Sequence, residues 1–199
     1  MGGFQFVNRL VHGYAFADTL CRYDAMIYSA FITDFLHDAH LPRISAREPA
    51  PDQRMIQRVT ATEDHEIAKT NGQEARCIRS LLYVAAGGVD EAHRIVQGIS
   101  SSDGAYIHGM VHRIEDDFDN ARYWFRRAGI LSAAAAMYDR AARNHLTVAS
   151  QPFWDPILVT DLVETSRTAG VTEDLRAVLT IEFEVLLESL WDRTEGCEQ

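Results

Sequence analysis

The sequence predicts an all-α protein, a compact helical bundle of antiparallel hairpins in a single domain. Three observations carry this. Apolar residues recur at spacings of three and four along most of the chain, Gly, Pro and Asn-Gly punctuate it at short intervals, and no stretch alternates with strand turn chemistry. At 199 residues, 47% of them apolar, the chain is long enough to bury a real core and reads as one domain over 1–199.

Residues 14–37 lack Pro and Gly and keep the helical spacing, which predicts a long first helix. Pro42, Pro49 and Pro51 make 41–52 a loop. Residues 53–70 are polar but helix-compatible, and Asn71-Gly72 marks a turn. The helix that follows is stopped by Gly87-Gly88, and a short helix runs from about Asp90 to Gln97. Ser100–Asp103 signals a new start. Helices then run from about Gly104 to Glu115 and from about Asn120 to Ala128, around a turn at Asp116–Asp119. The segment 132–144 is Ala-rich and helical, Pro152 and Pro156 bracket a loop around Trp154, and 157–168 is helical again. Thr172 is the N-cap expected for a last helix reaching about Trp191, with Glu173 and Asp174 in its first turn.

A formal charge of −10 argues against non-specific binding to nucleic acid or to an anionic membrane, although a local Arg patch can still hold a small anion. Cys21, Cys77 and Cys197 form no ligand spacing and read as reduced thiols. The first residues lack the apolar core of a signal peptide, and no run approaches about 18 apolar residues. The expectation is a soluble, cytoplasmic protein.

Function is concentrated in residues 104–129, within the motif-bearing helices of 90–129. Ile107, Val111 and Ile114 share the core-facing stripe of the first helix. His108, His112 and Glu115 lie about 100° round from it, at spacings of four and three. Imidazole titrates near neutrality, so these three are the candidate catalytic acid and base groups. The His-x3-His spacing also suits a metal. No third His or Cys stands at ligand spacing and HExxH is absent, so no metal is assigned. On the second helix Ala121, Phe125 and Ala128 face the core, and Asn120, Trp124 and Arg127 form an adjoining face. Trp124 and Tyr123 offer stacking surfaces, while Arg113 or Arg127 can hold a carboxylate or phosphate. The alternative for any one Arg is a structural pair with Asp116, Asp117 or Asp119.

The spacing of Gly109, Ala121, Phe125 and Ala128 repeats that of Ser80, Ala92, Val96 and Ile99. Small residues at these points let two helices approach closely, and the pattern resembles tetratricopeptide-like hairpins over about two hairpins. The runs DEAHRIVQGI and GAYIHGMVHRIEDDFDNARYWFRRAG also resemble a bacterial and fungal protein group of uncharacterised activity. Its pattern falls on His93, Gln97, Tyr106, His108, His112, Arg113, Glu115 and Asp117. It continues through Asn120, Ala121, Tyr123, Trp124, Phe125, Arg126, Arg127 and Gly129. Ile107 and Ile114 replace a Trp and an Arg of the pattern, and the Trp154-Asp155-Pro156 loop fits it. The resemblance implies a site that includes His93, Gln97 and Tyr106 as ligand-binding residues, with His93 and Gln97 four apart on the preceding helix.

Two weaker signals complete the reading. His37-Asp38 is similar to the paired ligands of metal-dependent phosphohydrolases, with His12 as a further ligand, but no partner Asp is identifiable; a helix C-terminus is the alternative. Glu182, Glu184, Glu188 and Asp192 read as a solvated helix face, with a cleft role open for Glu184 and Glu188. Three functions stay open: a small-molecule enzyme or binder with acid–base chemistry on an anionic or polar substrate, a tetratricopeptide-like module gripping a peptide, and a structural polar network. No cofactor, substrate or oligomeric state is specified.

Overall fold

The computed structural model describes residues 28–39 and 51–195, and the described residues form helices and connecting turns with no strand among them. In chain order the helices are α1 Ala30–Asp38, α2 Gln53–Ala61, α3 Asp64–Ile67, α4 Gln73–Ala86, α5 Val89–Val96 and α6 Ser102–Ile114. They continue as α7 Phe118–Ala128, α8 Ala134–Ala141, α9 Leu146–Ala149, α10 Pro156–Ala169 and α11 Glu173–Glu195. The all-α bundle is the architecture expected. Most of the predicted first helix and of the 41–52 loop lie outside the described residues, as do His12, Cys21 and Cys197. The stretch 53–70 divides at Thr62 and Glu63 into two short helices.

α4 and α11 form the middle of the bundle. α4 packs against α5, α6 and α11, while α11 also packs against α8. The α6–α7 hairpin forms the most extensive helix pair, and α10 packs against α7. Its first helix is buried throughout from Gly104 to Ile114. Burial on every side explains why polar groups on α6 must find partners inside the protein.

Backbone chemistry sets where these helices stop. Gly87, at φ 75°, adopts the left-handed conformation that ends α4. At the end of α6, Asp117 N donates to His112 O at 2.9 Å and Asp116 N donates to Arg113 O at 3.3 Å. This is the Schellman pattern, with Asp116 at φ 62° in the place glycine usually takes. Asp117 then caps α7 by accepting from Asn120 N. The turn brings Glu115 and Asp117 back beside His112.

Gly109 explains the close approach of α6 and α7. A Cβ built there meets the Phe125 ring at 2.9 Å. The ring is 2% exposed and packs edge-on against Tyr106 at 4.9 Å, so it has little room to yield. Gly109→Ala should therefore destabilise the protein by about 1 kcal/mol net. The steric cost of about 1–3 kcal/mol exceeds the roughly 1 kcal/mol gained in helix propensity. Urea unfolding checks this, and a rise in stability would contradict the packing.

The late carboxylates correct the sequence reading. Glu182 is fully buried and Glu184 is 5% exposed, so they do not form a solvated face, whereas Asp192 is exposed. Glu188 pairs with Arg140 at 2.5 Å. α11 runs through the bundle centre with neighbours on several sides, which buries positions an amphipathic surface helix would expose. At the other end of the chain, Asp38 pairs with Arg58 at 2.7 Å at the end of α1.

Candidate functional site

α5 and α6 bring three imidazoles together. His108 and His112, one turn apart on α6, stack with ring centroids 4.9 Å apart and planes 11° apart. His93 on α5 stands edge-on to both, at 4.7 and 4.9 Å. Nε2 of His93 lies 2.8 Å from Nε2 of His108. One nitrogen from each ring lies within 4.8 Å of the other two, a grouping able to hold a metal ion. The third histidine missing from local spacing comes from the preceding helix, which packs along α6.

α7 supplies an aromatic wall. Trp124 stacks on His108 at 3.8 Å and 19°, and the Arg127 guanidinium sits 5.5 Å from the Trp124 ring. Arg127, Trp124, His108 and His112 thus form a continuous stack from solvent to interior. Arg127 is exposed, Trp124 half-buried, and His108 only 4% exposed.

Carboxylates line the opposite edge. Glu115, at the exposed rim, places Oε1 3.8 Å from His93 Nδ1 and Oε2 3.4 Å from His112 Nδ1. Asp117 Oδ2 is 3.5 Å from His112 Nδ1 and accepts a 2.7 Å hydrogen bond from Asn120 Nδ2. Asn120 therefore orients Asp117 and does not itself reach the rings. The buried Nδ1 of His108 has no hydrogen-bond partner among the described residues, whereas that of His112 has the Glu115 and Asp117 carboxylates beside it, outside hydrogen-bond geometry.

The surroundings keep two of the imidazoles neutral. Burial, then the neighbouring His112 and His93, push the His108 pKa down to about 4. Burial and His93 also lower that of His112, against the opposing pull of Asp117. Burial raises the Glu115 carboxyl, with Asp90 and Asp117 adding to the rise and His93 opposing it. Neutral imidazole is the form that accepts a proton or donates a lone pair.

A cleft of about 320 Å³ opens beside this group, lined by Pro51, Gln53, Ile56, Gly87, Gly88, Val89, Asp90, Glu91, Ile114 and Glu115. Glu115 is the link between cleft and imidazoles. His93, His108 and His112 do not line the cleft themselves and sit behind Glu115.

Other predicted site residues lie elsewhere. Tyr106 and Arg113 point into a separate buried network. The Tyr106 hydroxyl donates to Glu182 Oε1 at 2.7 Å and accepts from Trp154 Nε1 at 2.8 Å. Arg113 holds both carboxylate oxygens of Glu182 and lies 5.3 Å from the Phe125 ring. Arg113 is 4% exposed, so its charge is committed to Glu182 and not to an anion in the cleft. Gln97 is the exposed C-cap of α5, and Tyr123 is also exposed.

Sequence reasoning missed Glu182. The signal was present, because Glu182 and Glu184 are flanked on both sides by apolar residues in LTIEFEVLL. Comparison with known family models, with curated proteins and with solved structures gives no match to the chain.

Proposed function

We propose that the protein is a small-molecule enzyme or binder whose working centre is His93, His108, His112 and Glu115. One observation carries this reading: three imidazoles, two of them buried and held neutral, converge behind a carboxylate that also lines a cleft. A purely structural network tends to pair its buried polar atoms, yet Nδ1 of His108 has no partner among the described residues. A peptide-gripping module presents its contact residues over roughly 800 Å² per partner, whereas His108 is 4% exposed.

The chemistry follows from the groups present. Glu115, its pKa raised first by burial, is the carboxylate that both lines the cleft and reaches the imidazoles, placed to take and return a proton. The neutral imidazoles offer lone pairs behind it. Arg127, held over Trp124, is the cation available to an anionic or planar part of the ligand. The tetratricopeptide-like resemblance of the α6–α7 hairpin describes how this wall is packed and names no ligand.

The test screens the full chain by thermal shift against small carboxylates, phosphate esters and amides, then assays hits for turnover. Glu115→Gln should lower turnover by about 10²–10⁴-fold while leaving the melting temperature close to wild type. Turnover unchanged in both Glu115→Gln and His112→Gln would sink the reading.

A further inference from the structure

We infer that His93, His108 and His112 bind one divalent transition-metal ion of the zinc class, and that Glu115 positions two of these ligands. The inference deepens the proposed function by naming the ion at the same centre, but its observations are those of ligand geometry alone.

Three nitrogens around a tetrahedral ion, each about 2.0–2.1 Å from it, lie roughly 3.3 Å from one another. The nitrogens here are within 4.8 Å, and the His93–His108 pair is at 2.8 Å, so the separations bracket that value. Two ligands come from one face of α6 and one from α5, and these helices pack directly against each other. The scaffold therefore fixes all three positions without a mobile loop.

The donor set selects the metal. Imidazole nitrogen suits zinc, copper, cobalt, nickel and iron, whereas magnesium and calcium take oxygen ligands. The site has three nitrogen donors, with carboxylates at its edge. Ligating histidines usually present their other ring nitrogen to a carboxylate, which fixes the tautomer and strengthens the ligand. His93 has this arrangement: Nε2 faces His108, and Nδ1 faces Glu115 at 3.8 Å. Glu115 reaches Nδ1 of His112 with its other oxygen, and Asp117, held by Asn120, approaches the same nitrogen. Three protein ligands leave a coordination position for water or substrate, the pattern of catalytic and not structural zinc.

The experiment uses the full chain, stripped with chelator and dialysed, and titrated with Co²⁺ followed by visible absorption, then with Zn²⁺ by calorimetry. One ion per chain is expected, with the intense bands of low-coordinate cobalt and their loss on adding Zn²⁺; Mg²⁺ should not compete. His93→Gln and His112→Gln should each weaken Zn²⁺ binding by about 100-fold or more, and Glu115→Gln by roughly 10–100-fold. His65→Gln, an exposed histidine on α3, serves as the control and should bind as wild type. Circular dichroism monitors folding, and the half-buried His93 gives the decisive variant if His112→Gln fails to fold. Absence of saturable binding to the folded wild type, or unchanged affinity in folded His93→Gln, overturns the metal site. Binding is read without substrate, so a failed metal site leaves chelator-resistant turnover intact. A failed enzyme reading leaves stoichiometric binding intact.

Discussion

Replacing Glu182 with alanine should lower the unfolding free energy by about 3–5 kcal/mol at neutral pH, the cost of leaving one member of a buried ion pair alone. Glu182 is fully buried and accepts from both the Arg113 guanidinium and the Tyr106 hydroxyl. Its removal strands a cation that is 4% exposed and takes away the 2.7 Å acceptor of Tyr106. The carboxylate also raises the Tyr106 pKa, second only to burial, so the phenol stays a donor. A double variant, Glu182→Leu with Arg113→Met, should recover most of the loss, because a matched apolar pair carries no desolvation penalty. Urea denaturation of the wild type and these two variants tests this. A loss below about 1 kcal/mol for Glu182→Ala would mean that Arg113 finds another partner.

Acid should destabilise the metal-free protein through His108 by up to about 3 kcal/mol. The folded pKa lies near 4 against 6.5 for the free side chain, and each unit is worth about 1.4 kcal/mol. The sign follows from which state binds the proton. Above about pH 6.5 the imidazole is neutral in both states and contributes no pH dependence. Between about 6.5 and 4 the unfolded chain takes up a proton that the native protein refuses, so stability falls as pH falls. Below about 4 the native state protonates as well and the loss levels off. His112, also lowered, adds in the same direction. Denaturation between pH 7 and 4 in the presence of chelator should show a steep acid limb that is shallower in His108→Gln. Equal slopes in the two proteins would show that His108 takes up its proton without unfolding.

The proposed metal links this acid sensitivity to function. Neutral imidazole is the ligand form, so the burial that makes the apoprotein acid-sensitive also prepares it to bind an ion. Acid should therefore weaken metal binding and stability together.

Much of the hairpin was legible in the sequence. The stripe of Ile107, Val111 and Ile114 is buried, as are Ala121, Phe125 and Ala128, and His108 and His112 do lie together with Glu115 at their edge. These relations are local, fixed by helical spacing within one or two turns. Gly87 and Thr172 were legible for the same reason, because caps and stops are local backbone chemistry. The separation of Tyr106 and Arg113 from the histidine group was not. Tyr106, Arg113, His108 and His112 all sit on α6, and periodicity does not say which polar face meets α5 and which meets α11.

By itself the sequence determined most of the described helices, several of their ends, and the stripe that carries His108, His112 and Glu115, but not the break of 53–70 at Thr62 and Glu63 or the short α9. Only the tertiary structure decided that His93 completes a three-imidazole group and that Glu182 claims Arg113 and Tyr106. It also decided that the cleft meets the site at Glu115. Helix boundaries depend on neighbours within about four residues, which the sequence displays directly. The contacts of a helix buried on every side depend on where distant helices dock, and summed packing across the whole bundle sets that.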